Sequence, residues 1–159
     1  MIRRFVIAVL SAAVIALSPA ALGQQTGGTA DEAKAMLMKA LAAVKSDRVK
    51  ALEMFNKGEG GFRDRDLYVF CANASDGTIV ATGNPNLKEA LGTDMRAAQN
   101  STGEPFGAEM YAAIQKPEGE ITEVSFMSPK PGADDTLAVK VVFVARADEQ
   151  LGCGVGYYK

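Results

Sequence analysis

Two lysines, a set of strand aromatics and one missing residue type bound the chemistry open to this chain. Lys140 sits in LAVKVVFVA, where Leu137, Val139, Val141, Phe143 and Ala145 alternate with Ala138, Lys140, Val142 and Val144. An ammonium on such a face either meets open water or needs an anionic partner or ligand, because burying an unpaired charge is costly. Lys130 lies between Pro129 and Pro131, which fix the backbone on both sides and aim the side chain. The alternative for Lys130 is a solvated turn. Tyr68, Phe70, Phe126, Tyr157 and Tyr158 occupy strand-like runs. Strand aromatics are mostly core, but the hydroxyls of Tyr68 and Tyr157 could hydrogen-bond a small polar ligand.

The chain has no His and no Trp. Lack of His excludes Ser-His-Asp and Cys-His catalysis, the usual zinc sites and CxxCH haem attachment. No carboxylate pair stands out, and Asp134-Asp135 reads as a turn with no third carboxylate spaced to complete a metal site. These residues point to binding, with no enzyme activity, cofactor or metal.

The elements that must position these groups belong to a chain of 159 residues, enough for one domain with a real core. Its start reads as an export signal. Met1-Ile2-Arg3-Arg4 is basic, Phe5 to Leu17 is apolar apart from Ser11, and Ala21-Leu22-Gly23 carries the small residues a signal peptidase reads. We expect a signal peptide over 1–23, cleaved after Gly23, a linker over 24–28 and one domain over 29–159. An uncleaved anchor is the alternative, but the apolar run is short of the roughly 20 residues a spanning helix needs. The net charge of −2 becomes −4 once Arg3 and Arg4 leave with the leader. With no basic stripe, nucleic acid and anionic membrane are poor partners. Cys71 and Cys153, 82 positions apart, allow one intramolecular pair in an exported chain. Two separate buried thiols are the alternative.

Thr29-Ala30-Asp31-Glu32 reads as a capping box, followed by Ala33, Leu37, Leu41, Val44, Leu52 and Phe55 near helical spacing. A helix from there to Asn56-Lys57-Gly58 would run about 40 Å, kinked or split at Ser46-Asp47. Phe62 to Asp66 alternates charge and reads as a solvated lead-in. Leu67 to Ala72 and Thr78 to Thr82 form a hairpin across Asn73–Gly77. A second helix follows Gly103-Glu104-Pro105, with Phe106, Met110, Ala113 and Ile114 on one face. Strands over 123–127, 137–145 and 151–158 close the chain.

At this point the order of motifs becomes specific. DLYVFCANASDGTIVATGNPNLKEALGTDM, GEPFGAEMYAAI, SFMSPKPGADDTLAVKVVFV and GCGVGYY, taken in sequence, resemble the single Cache domains, the extracellular sensor modules of bacterial chemoreceptors and histidine kinases. The resemblance spans Thr29 to the C-terminus. It implies an α+β, PAS-like central antiparallel sheet of about five strands, with a long N-terminal helix behind it and a helical segment between strands 2 and 3. It places a ligand pocket between sheet and helical middle, lined by Tyr68, Phe70, Phe126, Lys130, Lys140 and Tyr157. Thr82, Asn84, Pro85 and Met95 would form its lip. The family's long N-terminal helices often pair, which implies a homodimer, although this helix carries no clean heptad.

Three departures stand out. The family often carries a His just before the Asn-Pro, where this chain has Thr82-Gly83. Met127-Ser128 replaces a common aromatic. The chain also stops at Lys159, where a receptor would continue into a second membrane helix. The expected function is a periplasmic or secreted sensor-type domain that binds a small anionic metabolite such as an organic acid. It would act with a membrane histidine kinase or chemoreceptor. The alternative is a ligand-free Cache-fold interaction or structural module.

Overall fold

The computed structural model describes residues 27–132 and 136–159. The expected signal peptide, its cleavage point and linker residues 24–26 lie outside the described residues. Helix α1 (Ala30–Ser46) begins on the capping box: Glu32 N–H donates to the Thr29 hydroxyl, and Thr29 N–H donates to the Glu32 carboxylate. Arg65 and the Thr29 amide hold the Glu32 carboxyl down to about 2. A carboxylate with a lowered pKa contributes fully above its unfolded value, so this support fades only as pH falls from the ordinary glutamate range toward 2. Thr29→Ala should cost about 1 kcal/mol, read as a lower urea midpoint with helix content frayed at the start of α1.

The apolar face of α1, including Leu37, Leu41 and Val44, is buried on the sheet. The helix stops at Ser46 because Asp47 turns extended (φ −156°). Its carboxylate then accepts from Lys50 N–H to start α2 (Arg48–Lys57). One expected helix is therefore two, divided by a single residue that ends the first and caps the second. Gly58 closes α2 in the left-handed conformation (φ 68°).

The charged lead-in is more ordered than its alternation implies. Arg63–Asp64 is a short strand, β1, pairing with the start of β2 (Leu67–Asn73). Arg65 donates to the Gly27 carbonyl and pairs with Glu32 and Asp64, tying this turn to the start of α1. Strand β3 (Ile79–Thr82) returns from the hairpin. Short 3₁₀ turns at Pro85–Ala90 and Met95–Ala97 lead to α3 (Gly107–Ile114). Strands β4 (Thr122–Pro129), β5 (Leu137–Arg146) and β6 (Leu151–Tyr158) complete a fully antiparallel sheet.

The strand order is β3-β2-β6-β5-β4, with β1 extending the β3 edge, so the last strand of the chain lies in the middle. Period-2 alternation sends Leu67, Val69, Cys71, Phe143, Cys153 and Val155 under α1 and α2. Their neighbours Ala72, Val124, Val142 and Val144 face α3 and the 3₁₀ turns with Met95, Met110 and Ile114. This is the expected α+β arrangement of a central antiparallel sheet, a helical layer behind it and a helical segment before β4. Among the described residues no helix is long and apolar enough to cross a membrane.

Candidate ligand-binding site

The face of the sheet turned away from α1 carries two adjoining cavities. The inner one, about 480 Å³, lies between the sheet and the segment 84–110. Its walls include Phe70, Ile79, Phe126 and Val142 from the strands, with Leu87, Phe106 and Met110 opposite. Phe106 and Phe126 stack nearly parallel, their centroids 3.7 Å apart. The outer cavity, about 520 Å³, carries more charge, with Arg63, Arg65, Asp66 and Lys130 on its lining. Tyr68, Asn84, Pro131, Lys140 and Tyr158 border both.

Lys140 is the chemical centre of this junction. Strand pairing sets it directly between Phe126 on β4 and Tyr158 on β5's other neighbour, β6. It is only 8% exposed. Its ammonium donates to the Tyr68 hydroxyl at 3.2 Å and lies over the rings of Tyr68 and Tyr158, 4.9 and 5.0 Å from their centroids. Among the described residues no carboxylate pairs with it. Burial presses the amine toward its neutral form, and the oxygens of Tyr68 and Tyr158 more than offset that, so its pKa lies above the usual lysine value. The group is a cation at neutral pH, held by rings and a phenol rather than by a counter-ion.

A stripe of glycines on β6 makes this geometry possible. Gly152, Gly154 and Gly156 all point to the cavity face. A Cβ there would lie 2.1 Å from Ile114, 2.4 Å from the Phe70 ring and 2.9 Å from Lys140 Cε respectively. Helix α3, the Phe70 ring and the Lys140 stem each occupy room that a side chain on β6 would take.

The lip is fixed from behind. Asn56 on α2 donates to the Val80 carbonyl and accepts from Thr82 N–H, while the Lys88 ammonium donates to the carbonyls of Asn56 and Thr82. Thr82 and Asn84 border the inner cavity and Pro85 the outer one.

Of the residues expected to line the site, Tyr68, Phe70, Phe126 and Lys140 do border the inner cavity. Lys130 borders only the outer one. Tyr157 is on the wrong face: its ring stacks on Phe143 at 5.8 Å, and it packs against the core beneath α1. Adjacent strand residues point to opposite faces, so its neighbour Tyr158 takes the place at Lys140, and Tyr158 donates to the Pro129 carbonyl at 2.8 Å. Met95 is not part of the lip. It is 1% exposed in the core below α3, where Gly107 sits so close that a Cβ would fall 1.8 Å from the Met95 carbonyl oxygen.

No family model and no curated protein sequence matches the chain. Solved structures do. A methyl-accepting chemotaxis protein from Vibrio parahaemolyticus RIMD 2210633 shares 22% identity, with a TM-score of 0.59 over 80% of this chain and 86% of that one. The periplasmic sensor domain of a chemotaxis protein shares 18%, with a TM-score of 0.54 over 80% of this chain and 88% of its own. A Cache chemosensory domain solved for its carboxylic acid recognition shares 18%, with a TM-score of 0.53 over 80% and 86%. This chain has the Cache fold. Cys71 and Cys153 staple that fold at its centre, as direct cross-strand partners of β2 and β6 joined by a disulfide. Phe106 and Tyr158 are wall residues of this Cache-fold cavity that the sequence reading did not assign to it, and Ser128, noted there as a departure from the family, borders it as well. For Tyr158 a signal existed, because the alternation begun by Gly154 and Gly156 lands on it. For Phe106 none did, since its position depends on how the segment 84–106 folds back over the sheet.

Proposed function

We propose that this chain is an extracytoplasmic, sensor-type binding domain that takes a small organic anion at Lys140 and acts with a membrane signalling partner. The carrying observation is the Lys140 ammonium, buried without a carboxylate partner among the described residues and placed where two cavities meet. A buried cation that lacks a counter-ion is costly, and a ligand carboxylate supplies the missing charge with a charge-assisted hydrogen bond. Arg63 and Lys130 on the outer cavity make the approach attractive to anions. The fold agrees with this reading, being shared with sensor domains of chemotaxis proteins and with a Cache domain solved for carboxylic acid recognition. The export signal in the sequence agrees with an extracytoplasmic location.

A thermal-shift screen of carboxylates against matched amides and amines tests it. A true ligand at 100 times its dissociation constant adds about 2.7 kcal/mol of stability. If no anion moves the midpoint, binding is lost as the role and the ligand-free interaction module takes its place. Gly156→Ala probes the same site from the strand behind it. The new methyl would lie 2.9 Å from Lys140 Cε and 3.1 Å from Val142 Cγ2, both side-chain atoms, with backbone no nearer than 3.4 Å, so the Lys140 stem must move most while the strand pairing stays. Affinity for an anion found in the screen should fall by about tenfold, the scale of one charge-assisted hydrogen bond.

A further inference from the structure

The inner cavity is far larger than the ammonium it exposes. Its volume of about 480 Å³ falls within the roughly 300–1,000 Å³ typical of pockets that close around drug-sized molecules. A two- or three-carbon acid held at Lys140 would leave most of that space unfilled. Several of the polar side chains on its walls are already engaged. The Asn100 carbonyl oxygen accepts from the amides of Thr102 and Glu104, and its amide nitrogen donates to Glu104. The Asn84 side chain accepts from Asn86 N–H, and the Thr82 hydroxyl accepts from Asn84 N–H. Ser128 is hydrogen-bonded to the Tyr158 hydroxyl. Each of these polar side chains is engaged, within its own loop or, for Ser128 and Tyr158, across β5 from β4 to β6. What remains is one cation at one end, the exposed Gln99 and Ser101 and the Asn84 amide nitrogen on the segment 84–101, and stacked Phe106 and Phe126, Phe70, Ile79, Met110 and Val142 along the rest.

From this division we infer that the ligand is an amphipathic monocarboxylic acid, its carboxylate at Lys140 and an aromatic or several-methylene body in the inner cavity. The inference rests on the reading of Lys140 as the anion site and narrows its ligand class. Hydroxy, amino or second carboxylate groups placed beside Phe106, Phe126 and Met110 would lack partners there and weaken binding.

Calorimetric titration of the protein with acetate, butyrate, hexanoate, octanoate, phenylacetate and succinate tests it, with hexanol and hexylamine as controls. Affinity should rise about fourfold for each methylene that becomes buried. Phenylacetate should bind far more tightly than acetate. Phe126→Ala should flatten this dependence on length, lowering hexanoate and octanoate affinity more than acetate affinity. Acetate or succinate binding most tightly overturns the inference and leaves the anion site standing. Hexanol or hexylamine matching hexanoate removes the anion site itself, and so does a failure of every carboxylate to bind; either result takes the inference with it.

Discussion

Replacing Cys71 and Cys153 together by alanine is expected to remove about 4 kcal/mol of stability, the largest effect of any change considered for this protein. The two residues face each other across β2 and β6 with Cα atoms 4.1 Å apart, and both are fully buried. They lie 82 residues apart, so the bond closes more than half of the chain into a loop. In the chain-entropy description a loop of that length removes about 4–5 kcal/mol of freedom from the unfolded state, toward the upper end of the usual range. Domains of this kind hold roughly 5–15 kcal/mol in total, so the loss is a large share of the whole. Urea unfolding of the parent, the reduced parent and the Cys71→Ala/Cys153→Ala variant measures it. The midpoints should fall together for the last two, with the slope unchanged or steeper as the unfolded chain expands. Coincident midpoints for all three would mean that the sheet register alone holds β2 to β6.

That register marks where the sequence stopped being readable. Local codes were legible. Thr29 and Glu32 satisfy each other's backbone within four residues, and Asp47 interrupts a helix by capping the next one, so both are visible without knowing what packs on them. Strand β5 was legible too, because its apolar alternation is unbroken and places Lys140 on the Val142 and Val144 face by parity alone. Strand β6 shows two unlike faces but not which of them meets the cavity. One face carries Cys153, Val155 and Tyr157, and the other carries Gly152, Gly154, Gly156 and Tyr158. Adjacent tyrosines differ only in which side meets Lys140, and that is set by pairing with β5 rather than by composition. The glycine face looks vacant in sequence because its volume is filled from elsewhere, by Ile114, the Phe70 ring and the Lys140 stem. Met95 is the converse case. The resemblance to Cache domains places it on the lip, whereas it lies in the core with Gly107 packed against its carbonyl.

Lys140→Met is expected to raise the stability of the unliganded protein while abolishing anion binding. At neutral pH phenols are uncharged, so what Tyr68 and Tyr158 offer the ammonium is one hydrogen bond and two ring faces. Against the lowering effect of burial, the raised Lys140 pKa comes first from the charge Tyr68 and Tyr158 carry once ionised and only then from hydrogen bonding. At neutral pH those contacts only favour the charged amine over the neutral one. They do not make a lysine better in that place than an apolar chain of the same reach. Methionine is unbranched, fills irregular space and keeps sulfur against aromatic rings, so it can follow the Lys140 stem over Gly156 without a cavity. Replacing buried charge by matched apolar side chains commonly gains about 1–4 kcal/mol. With no counter-ion among the described residues, and so no buried charge left stranded by the change, a gain of about 1–2 kcal/mol is expected here. Binding should move the other way, by roughly a hundredfold or more, because a ligand carboxylate would then lose the one cation on the inner cavity's wall among the described residues. Lys140→Ala separates charge from volume, since it also removes anion binding but leaves a void and lowers stability. The pair of measurements distinguishes a lysine kept for a ligand from one kept for the fold. If Lys140→Met is destabilised as much as Lys140→Ala, the ammonium serves the sheet, and the cavity at its tip has to be explained without it.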